Sequence, residues 1–191
     1  NVLVPRPETE ILVQKVLETF DKKKIRVLDL GTGSGAIGLS LAKERANWEV
    51  VCSDLSYEAL KVTSKNMTRN SLDVSLVNSN WSSAFKNEYF DVIVSNPPYI
   101  NPSDPRVYSD GLKFEPKQAL ISDSEGLYDI ERIVKETSEI LNNAGYLFIE
   151  HGYDQSDLVV SIFKRYGFSQ IRTFKDLNGD DRVCLGKLNR C

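Results

Sequence analysis

Asn96-Pro97-Pro98-Tyr99 is the stretch of this 191-residue sequence with the most chemistry in it. It follows Phe90 to Ser95, a β-branched apolar run that reads as a strand, and so falls where open α/β sheets bind ligands. A planar NH2 group conjugated to a carbonyl or a ring is a poor nucleophile, because its lone pair is delocalised. A site can help by accepting both N–H protons. The Asn96 side-chain oxygen and the Pro97 carbonyl can do this, since proline keeps its acceptor while losing its donor. Those two bonds would leave the nitrogen lone pair facing an electrophilic methyl group. The prolines restrict the loop, and Tyr99 offers a flat face to a planar substrate group. Positioning of this kind is worth roughly 7–11 kcal/mol. The bland alternative is a proline-rich turn, and a second motif weighs against it.

That motif is Asp29-Leu30-Gly31-Thr32-Gly33-Ser34-Gly35, at the end of the apolar run Ile25 to Leu30. Glycines there let backbone approach a ligand and take positive φ without strain. Asp54 closes the next strand, where an acid accepts hydrogen bonds from ribose hydroxyls. Gly33, Gly35 and Gly38 also satisfy GxGxxG, so a nicotinamide enzyme stands as a reading of these residues alone. The Asp-x-Gly-x-Gly-x-Gly spacing is more similar to the S-adenosylmethionine variant, and no hydride-transfer machinery is evident. Asn80 and Trp81 follow the third strand. The indole could line an adenine pocket with the Asn80 amide on its polar edge, or Trp81 could simply fill the core. A sulfonium is reactive enough to need neither metal nor covalent nucleophile. With His151 as the single histidine, a His-rich metal site is excluded and no metal is expected.

The elements that must hold these motifs alternate. Residues 8–20 carry Leu12, Val13, Val16, Leu17 and Phe20 on one helical stripe, with Pro5 and Pro7 before it and Glu8 and Glu10 at its positive end. Strands are read at Ile25–Leu30, Glu49–Ser53, Val74–Val77, Phe90–Ser95, Tyr146–Glu150, Phe168–Phe174 and Arg182–Leu188. Helices are read at Ala36–Arg45, 56–69, 127–141 and 155–166. The stretch Asn96 to Ser124, rich in Pro, Asp and Ser, reads as a long functional loop. This order predicts an α/β, Rossmann-like, mostly parallel sheet covered on both faces. The link Asp176 to Asp180 is too short for a crossover helix, so the last two strands should pair antiparallel.

Composition sets the bounds. A net charge of −3 argues against a dedicated nucleic-acid binder, and no sequence-specific nucleic-acid contact is expected. No apolar run reaches the roughly 20 residues that span a bilayer, and no secretory leader is visible. Cys52, Cys184 and Cys191 lack CxxC spacing and read as reduced thiols. The chain starts at Asn1, as expected of a fragment or a processed product.

NPPY suits two acceptors, the exocyclic amine of adenine and the side-chain amide of glutamine. Around it the chain resembles the protein-(glutamine-N5) methyltransferases of the HemK/PrmC type, which modify peptide-chain release factors. The resemblance is carried by Val2 through Glu10 (VLVPRPETE), Asp29 through Gly35, Asn96 through Ile100, Glu115-Pro116, Ala119-Leu120, Gly126-Leu127 and Asp181-Arg182-Val183. It implies a class I methyltransferase sheet of seven strands with the last antiparallel. It implies that Gly31, Thr32, Gly33, Gly35, Asp54, Trp81 and Asn96 contact S-adenosylmethionine, with Ser34 and Asn80 in the same loops. Asn96, Pro97, Pro98 and Tyr99 would hold the target glutamine, and Arg6 and Glu8 would lie near the substrate mouth, or merely cap a helix. A release factor is the implied partner, translation termination the process, and cytoplasm the place (an organelle for a eukaryotic source). The family's small N-terminal helical domain has no counterpart, so residues 1–191 are expected to form one catalytic domain with weakened partner docking. Asn80 stands where the family often has Asp. His151 interrupts the usual Glu-Ile-Gly and is expected to be structural.

Overall fold

The computed structural model describes every residue except 1, 4, 21–22, 87–88, 106–114 and 191, so Val4, Cys191 and the middle of the 96–124 loop lie outside the described residues. The elements run α1 (Pro7–Thr19), β1 (Arg26–Leu30), α2 (Ala36–Glu44), β2 (Glu49–Asp54), α3 (Tyr57–Arg69), β3 (Ser75–Asn78) and β4 (Phe90–Ser95). After the long loop come α4 (Asp123–Gly126, a single turn), α5 (Tyr128–Ile140), β5 (Leu141–Glu150), α6 (Ser156–Arg165), β6 (Phe168–Lys175) and β7 (Asp181–Leu188). The seven strands lie in the order β3-β2-β1-β4-β5-β7-β6. β7 runs antiparallel to both its neighbours, and the other recorded pairings are parallel. Both the expected class and the reversed last strand are therefore present.

Alternation along the central strands explains the two-faced core. Leu28, Leu30, Ile93, Leu147 and Ile149 pack with Ile130, Ile133 and Val134 of α5 and Val159 and Phe163 of α6. Val27, Val92, Val94 and Phe148 point the other way, against Leu12 and Val16 of α1 and Ile37, Leu39 and Leu41 of α2. Each side chain of this size contributes about 1.5–3 kcal/mol when fully buried. A strand covered on both faces reads as a continuous apolar run, which is why β1 and β4 are so recognisable. Cys52 and Cys184 are buried free thiols within these faces. Among the described residues no helix is long and apolar enough to cross a membrane.

One boundary differs from expectation. The helical periodicity runs through Leu141 and the fifth strand is expected only from Tyr146, yet β5 already starts at Leu141. Tertiary pairing decides this: Leu141 is registered against Phe90, and Asn142 Nδ2 donates to Asp91 Oδ1 at 2.7 Å. The irregularity is absorbed as a register shift between Phe90 and Val92 and a positive φ at Ala144.

Candidate functional site

Strand register builds the site. Leu30 is level with Ser53 on β2 and with Ser95 on β4, and Ser95 is level with Ile149 on β5. The next residues along these strands are Asp54, Gly31, Asn96 and Glu150, which therefore form a row across the carboxyl edge. At about 4.8 Å between neighbouring strands, the row spans roughly 15 Å. The Ser95 hydroxyl donates to Leu30 O at 2.8 Å, tying the two motif-bearing strands together just below the row.

On one side of the row lies a cavity of about 580 Å³ lined by Gly31, Thr32, Gly33, Ser34, Asp54, Asn80, Trp81, Asn96 and Pro98. Gly31 and Gly33 take φ of +70° and +58°, and a Cβ on Gly31 would meet the Trp81 ring at 3.1 Å. A side chain there would be strained by the positive φ and would press on the indole. Gly33 N–H donates to Asp54 Oδ2 at 2.9 Å and Ser56 N–H to Oδ1 at 2.8 Å. A carboxylate has about four acceptor positions, so Asp54 keeps capacity for ligand hydroxyls. Asn80 is exposed, and Trp81 is half-buried with φ +47°. The Thr32 hydroxyl turns inward, donating to Asp29 Oδ2 at 2.6 Å, so the Asp29 carboxylate braces the loop from beneath. Gly35 does not line this cavity. With φ +83° it turns the chain into α2, and its α-carbon is packed against Leu39 and Thr63.

On the other side is a larger cleft, about 900 Å³, whose lining includes Arg6, Glu8, Asn96, Pro97, Tyr99, Glu150 and Arg182. Arg6, on its lining, approaches Glu115 at 3.5 Å. Leu3, Asn96 and Ala119 line both spaces, and Asn96 is the polar one. NPPY divides between them: Pro97 and Tyr99 face the cleft, whereas Pro98 belongs to the smaller cavity. The loop is strapped down beyond the tetrapeptide. Ile100 N–H donates to Leu120 O at 2.9 Å, Ser122 N–H to Ile100 O at 3.0 Å, and Gln155 Nε2 to Tyr99 O at 2.9 Å.

Beneath Asn96 sits a polar cluster that sequence reasoning passed over. Asn96 Nδ2 lies 3.1 Å from Thr9 Oγ1, which donates to Glu150 Oε2 at 2.8 Å, while the Tyr99 hydroxyl donates to Glu150 Oε1 at 3.1 Å. Glu150 is 1% exposed. The signal for it was present, since an acid ending a parallel strand is the criterion that picked out Asp54. Asp129 and Arg132 of α5 also line the smaller cavity, with no sequence signal beyond helical spacing. His151 is buried, lines neither space, and sets Nδ1 2.8 Å from Gly152 O, with its pKa lowered by burial. It is not the satisfied histidine expected, because Nε2 is buried with no hydrogen-bond partner among the described residues. Among the described residues no three His, Cys, Asp or Glu side chains are grouped to hold a metal.

Burial pushes Glu150 up to about 7, against the hydrogen bonds from Thr9 and Tyr99 and the nearby Arg182 charge that favour ionisation. Asp29 is pushed to about 6 for the same first reason. Between 4.5, its ordinary value, and about 7, native Glu150 holds a proton that the unfolded chain releases. Its contribution to stability is therefore full below about 4.5 and is lost progressively as pH rises from there through about 7. Glu150→Gln lacks this dependence. Its stability relative to the parent should rise by about 2–3 kcal/mol from about pH 5 to pH 8, measured by urea unfolding. Parallel pH profiles for the two proteins would contradict the assignment.

The strand order, the reversed β7 and the glycine loop define a methyltransferase domain, and the Methyltransferase small domain family matches residues 7–109. The release factor glutamine methyltransferase of Buchnera aphidicola (from Schizaphis graminum) is 46% identical over 98% of this chain and 68% of its own length. That of Escherichia coli is 37% identical over 97% and 67%. The chain belongs to the release factor glutamine methyltransferase family. Among solved structures, the release-factor-specific protein-(glutamine-N5) methyltransferase from Alicyclobacillus acidocaldarius aligns at TM-score 0.58 and 27% identity, covering 98% of this chain and 95% of that one. A Pyrococcus furiosus methyltransferase aligns at TM-score 0.73 and 19% identity, covering 100% and 86%, a likeness of fold alone.

Proposed function

We propose that this chain transfers a methyl group from S-adenosylmethionine to the side-chain amide nitrogen, N5, of a glutamine in a peptide-chain release factor, and so acts in translation termination in the cytoplasm. Residues 1–191 serve as its catalytic domain. The observation that carries the reading is the place of Asn96, which among the described residues is the polar side chain common to a glycine-lined cavity and the larger neighbouring cleft.

In this reading Gly31, Gly33 and Ser34, with the Thr32 backbone, cradle S-adenosylmethionine. Asp54 accepts its ribose hydroxyls, and Asn80 and Trp81 take its adenine. Pro98 closes the same side, and Gly35 shapes the loop from behind. The cofactor, when bound, supplies an electrophilic methyl on a sulfonium. The protein's part is to position the acceptor. Asn96 Oδ1 and the Pro97 carbonyl accept the two N–H groups of the glutamine amide, with Tyr99 along its plane. As positive charge grows on that nitrogen, both N–H groups become stronger donors, so the grip tightens toward the transition state. One of the two protons would then leave to water, giving a neutral N-methyl amide, with the sulfonium released as a neutral thioether. Arg6 and Glu8 meet the protein chain around the glutamine at the cleft mouth.

The test is incubation with S-adenosylmethionine and a full-length release factor, followed by peptide mass spectrometry. One methyl on a single glutamine is expected, and none on an adenine-containing oligonucleotide. The reverse pattern would replace this reading with adenine methylation. Asp54→Ala should weaken S-adenosylmethionine binding about 10- to 100-fold, the worth of hydrogen bonds to a charged acceptor, while KM for the release factor stays near the parent value. Calorimetric titration reads the first, and unchanged affinity would remove Asp54 from the site.

A further inference from the structure

Resting on that reading, we propose that Glu150 is a positioning residue: through Thr9 it fixes which end of the Asn96 amide faces the acceptor nitrogen, and it directly holds Tyr99 beside it. An Asn side chain is nearly symmetric in shape, and its oxygen and nitrogen exchange places by a half-turn of the terminal torsion. For Asn96 the two arrangements are chemically opposite. With Oδ1 toward the substrate it accepts an N–H; with Nδ2 there it sets donor against donor.

Thr9 decides between them. Its hydroxyl has one proton. An ionised Glu150 can only accept, so that proton is committed to Oε2, at 2.8 Å. Thr9 Oγ1 then has only lone pairs left for Asn96, 3.1 Å away, and the amide must present Nδ2 to it. Oδ1 is thereby turned from Thr9 and freed for the substrate. The other carboxylate oxygen takes the Tyr99 hydroxyl at 3.1 Å. One carboxylate thus orients two of the four NPPY side chains from below, and β-sheet register brings it there, because Ser95 and Ile149 are paired.

The cost of the arrangement points the same way. A carboxylate that is 1% exposed, with hydroxyls as both hydrogen-bond partners, is expensive to hold. Packing alone would be served better by an apolar side chain. The groups around it are Arg182 from β7, which favours the charge, Glu8 from α1, which opposes it, and the Tyr99 phenol and Thr9 hydroxyl. His151 follows it in the chain with its ring held neutral by burial. When Glu150 takes up a proton, the Thr9 hydroxyl is no longer committed and the Asn96 amide loses its preferred sense. Turnover should then fall on the acid side of about pH 7, where burial places this carboxyl.

The experiment compares the parent chain with Glu150→Gln, Thr9→Val and Thr9→Ser, using S-adenosylmethionine and a release factor as substrates. Glu150→Gln and Thr9→Val should each lower kcat about 10²-fold, with the S-adenosylmethionine dissociation constant unchanged by titration. Thr9→Ser, which keeps the hydroxyl, should recover most of the loss relative to Thr9→Val. The acid limb of the parent's kcat profile should be absent in Glu150→Gln. Parent turnover in Glu150→Gln, or equal losses in Thr9→Ser and Thr9→Val, would overturn the inference while leaving the methyltransferase reading in place. If Glu150→Gln does not fold, the two Thr9 variants decide. A parent chain that methylates no release factor would overturn the functional reading and this inference with it.

Discussion

Asn96→Ala is expected to lower kcat for release-factor methylation by about 10²–10³-fold, with S-adenosylmethionine affinity nearly unchanged. The asymmetry follows from where the side chain sits. The smaller cavity is built chiefly from Gly31 to Ser34, Asp54, Asn80 and Trp81, and loses one wall atom group when Asn96 is truncated. The acceptor loses one of its two oxygens. A single hydrogen bond donated to the Pro97 carbonyl leaves the amide free to rotate, and the alignment that makes the nitrogen reactive is lost. Asn96→Asp sharpens the test. It keeps an acceptor oxygen but has no N–H for Thr9, and it places a second carboxylate one hydroxyl away from Glu150. Like charges that close resist joint ionisation, so this isosteric variant should also be impaired, with an altered pH profile. Single-turnover rates with cofactor titrations separate the two effects. A kcat near the parent's in Asn96→Ala would remove Asn96 from the chemistry.

The row of strand ends was legible because burial on both faces gives β1, β2 and β4 continuous apolar runs that stop abruptly at Gly31, Asp54 and Asn96. What motif matching could not supply was direction. Thr32 and Gly35 belong to the glycine motif, yet the hydroxyl of one turns down onto Asp29 and the other lies behind the loop. Pro98 belongs to the NPPY tetrapeptide yet lines the smaller, glycine-lined cavity, because successive residues of an extended loop point opposite ways. Glu150 ends a strand as Asp54 does, but its role, like that of Thr9, was illegible for another reason. Their meaning lies in contacts across 141 and 87 residues of sequence, which only the sheet register and the docking of α1 bring about. The first half of β5 failed similarly, since what holds it there is the pairing of Leu141 with Phe90 and the bond from Asn142 Nδ2 to Asp91, neither of which is visible in the sequence.

Gly126→Ala should be the most damaging small change outside the row. Gly126 has φ +84°, and a Cβ there would lie 2.1 Å from Tyr99 O and 2.7 Å from Gln155 Nε2. The nearest obstructing group is the backbone carbonyl of Tyr99, which cannot swing away. Gln155 Nε2 is a side-chain tip, but it can move only by giving up its 2.9 Å bond to Tyr99 O. The left-handed conformation costs about 1–2 kcal/mol for a residue with a Cβ, and forcing an extra carbon into packed surroundings costs about 1–3 kcal/mol more. A loss of about 2–5 kcal/mol corresponds, for a chain of this size, to a Tm lower by on the order of 10 °C. Gly167→Ala separates the two causes. Its φ is +85°, but nothing lies within 4 Å of the added carbon, so it carries the conformational cost alone. At a temperature where both variants are folded, Gly126→Ala should still turn over poorly, because relief of the clash moves the Tyr99 carbonyl off Gln155 and carries Pro97 and Tyr99 with it. Gly167→Ala should match the parent in kcat. Equal activity in the two variants would mean that the loop relaxes away from Gly126 without disturbing the amide grip.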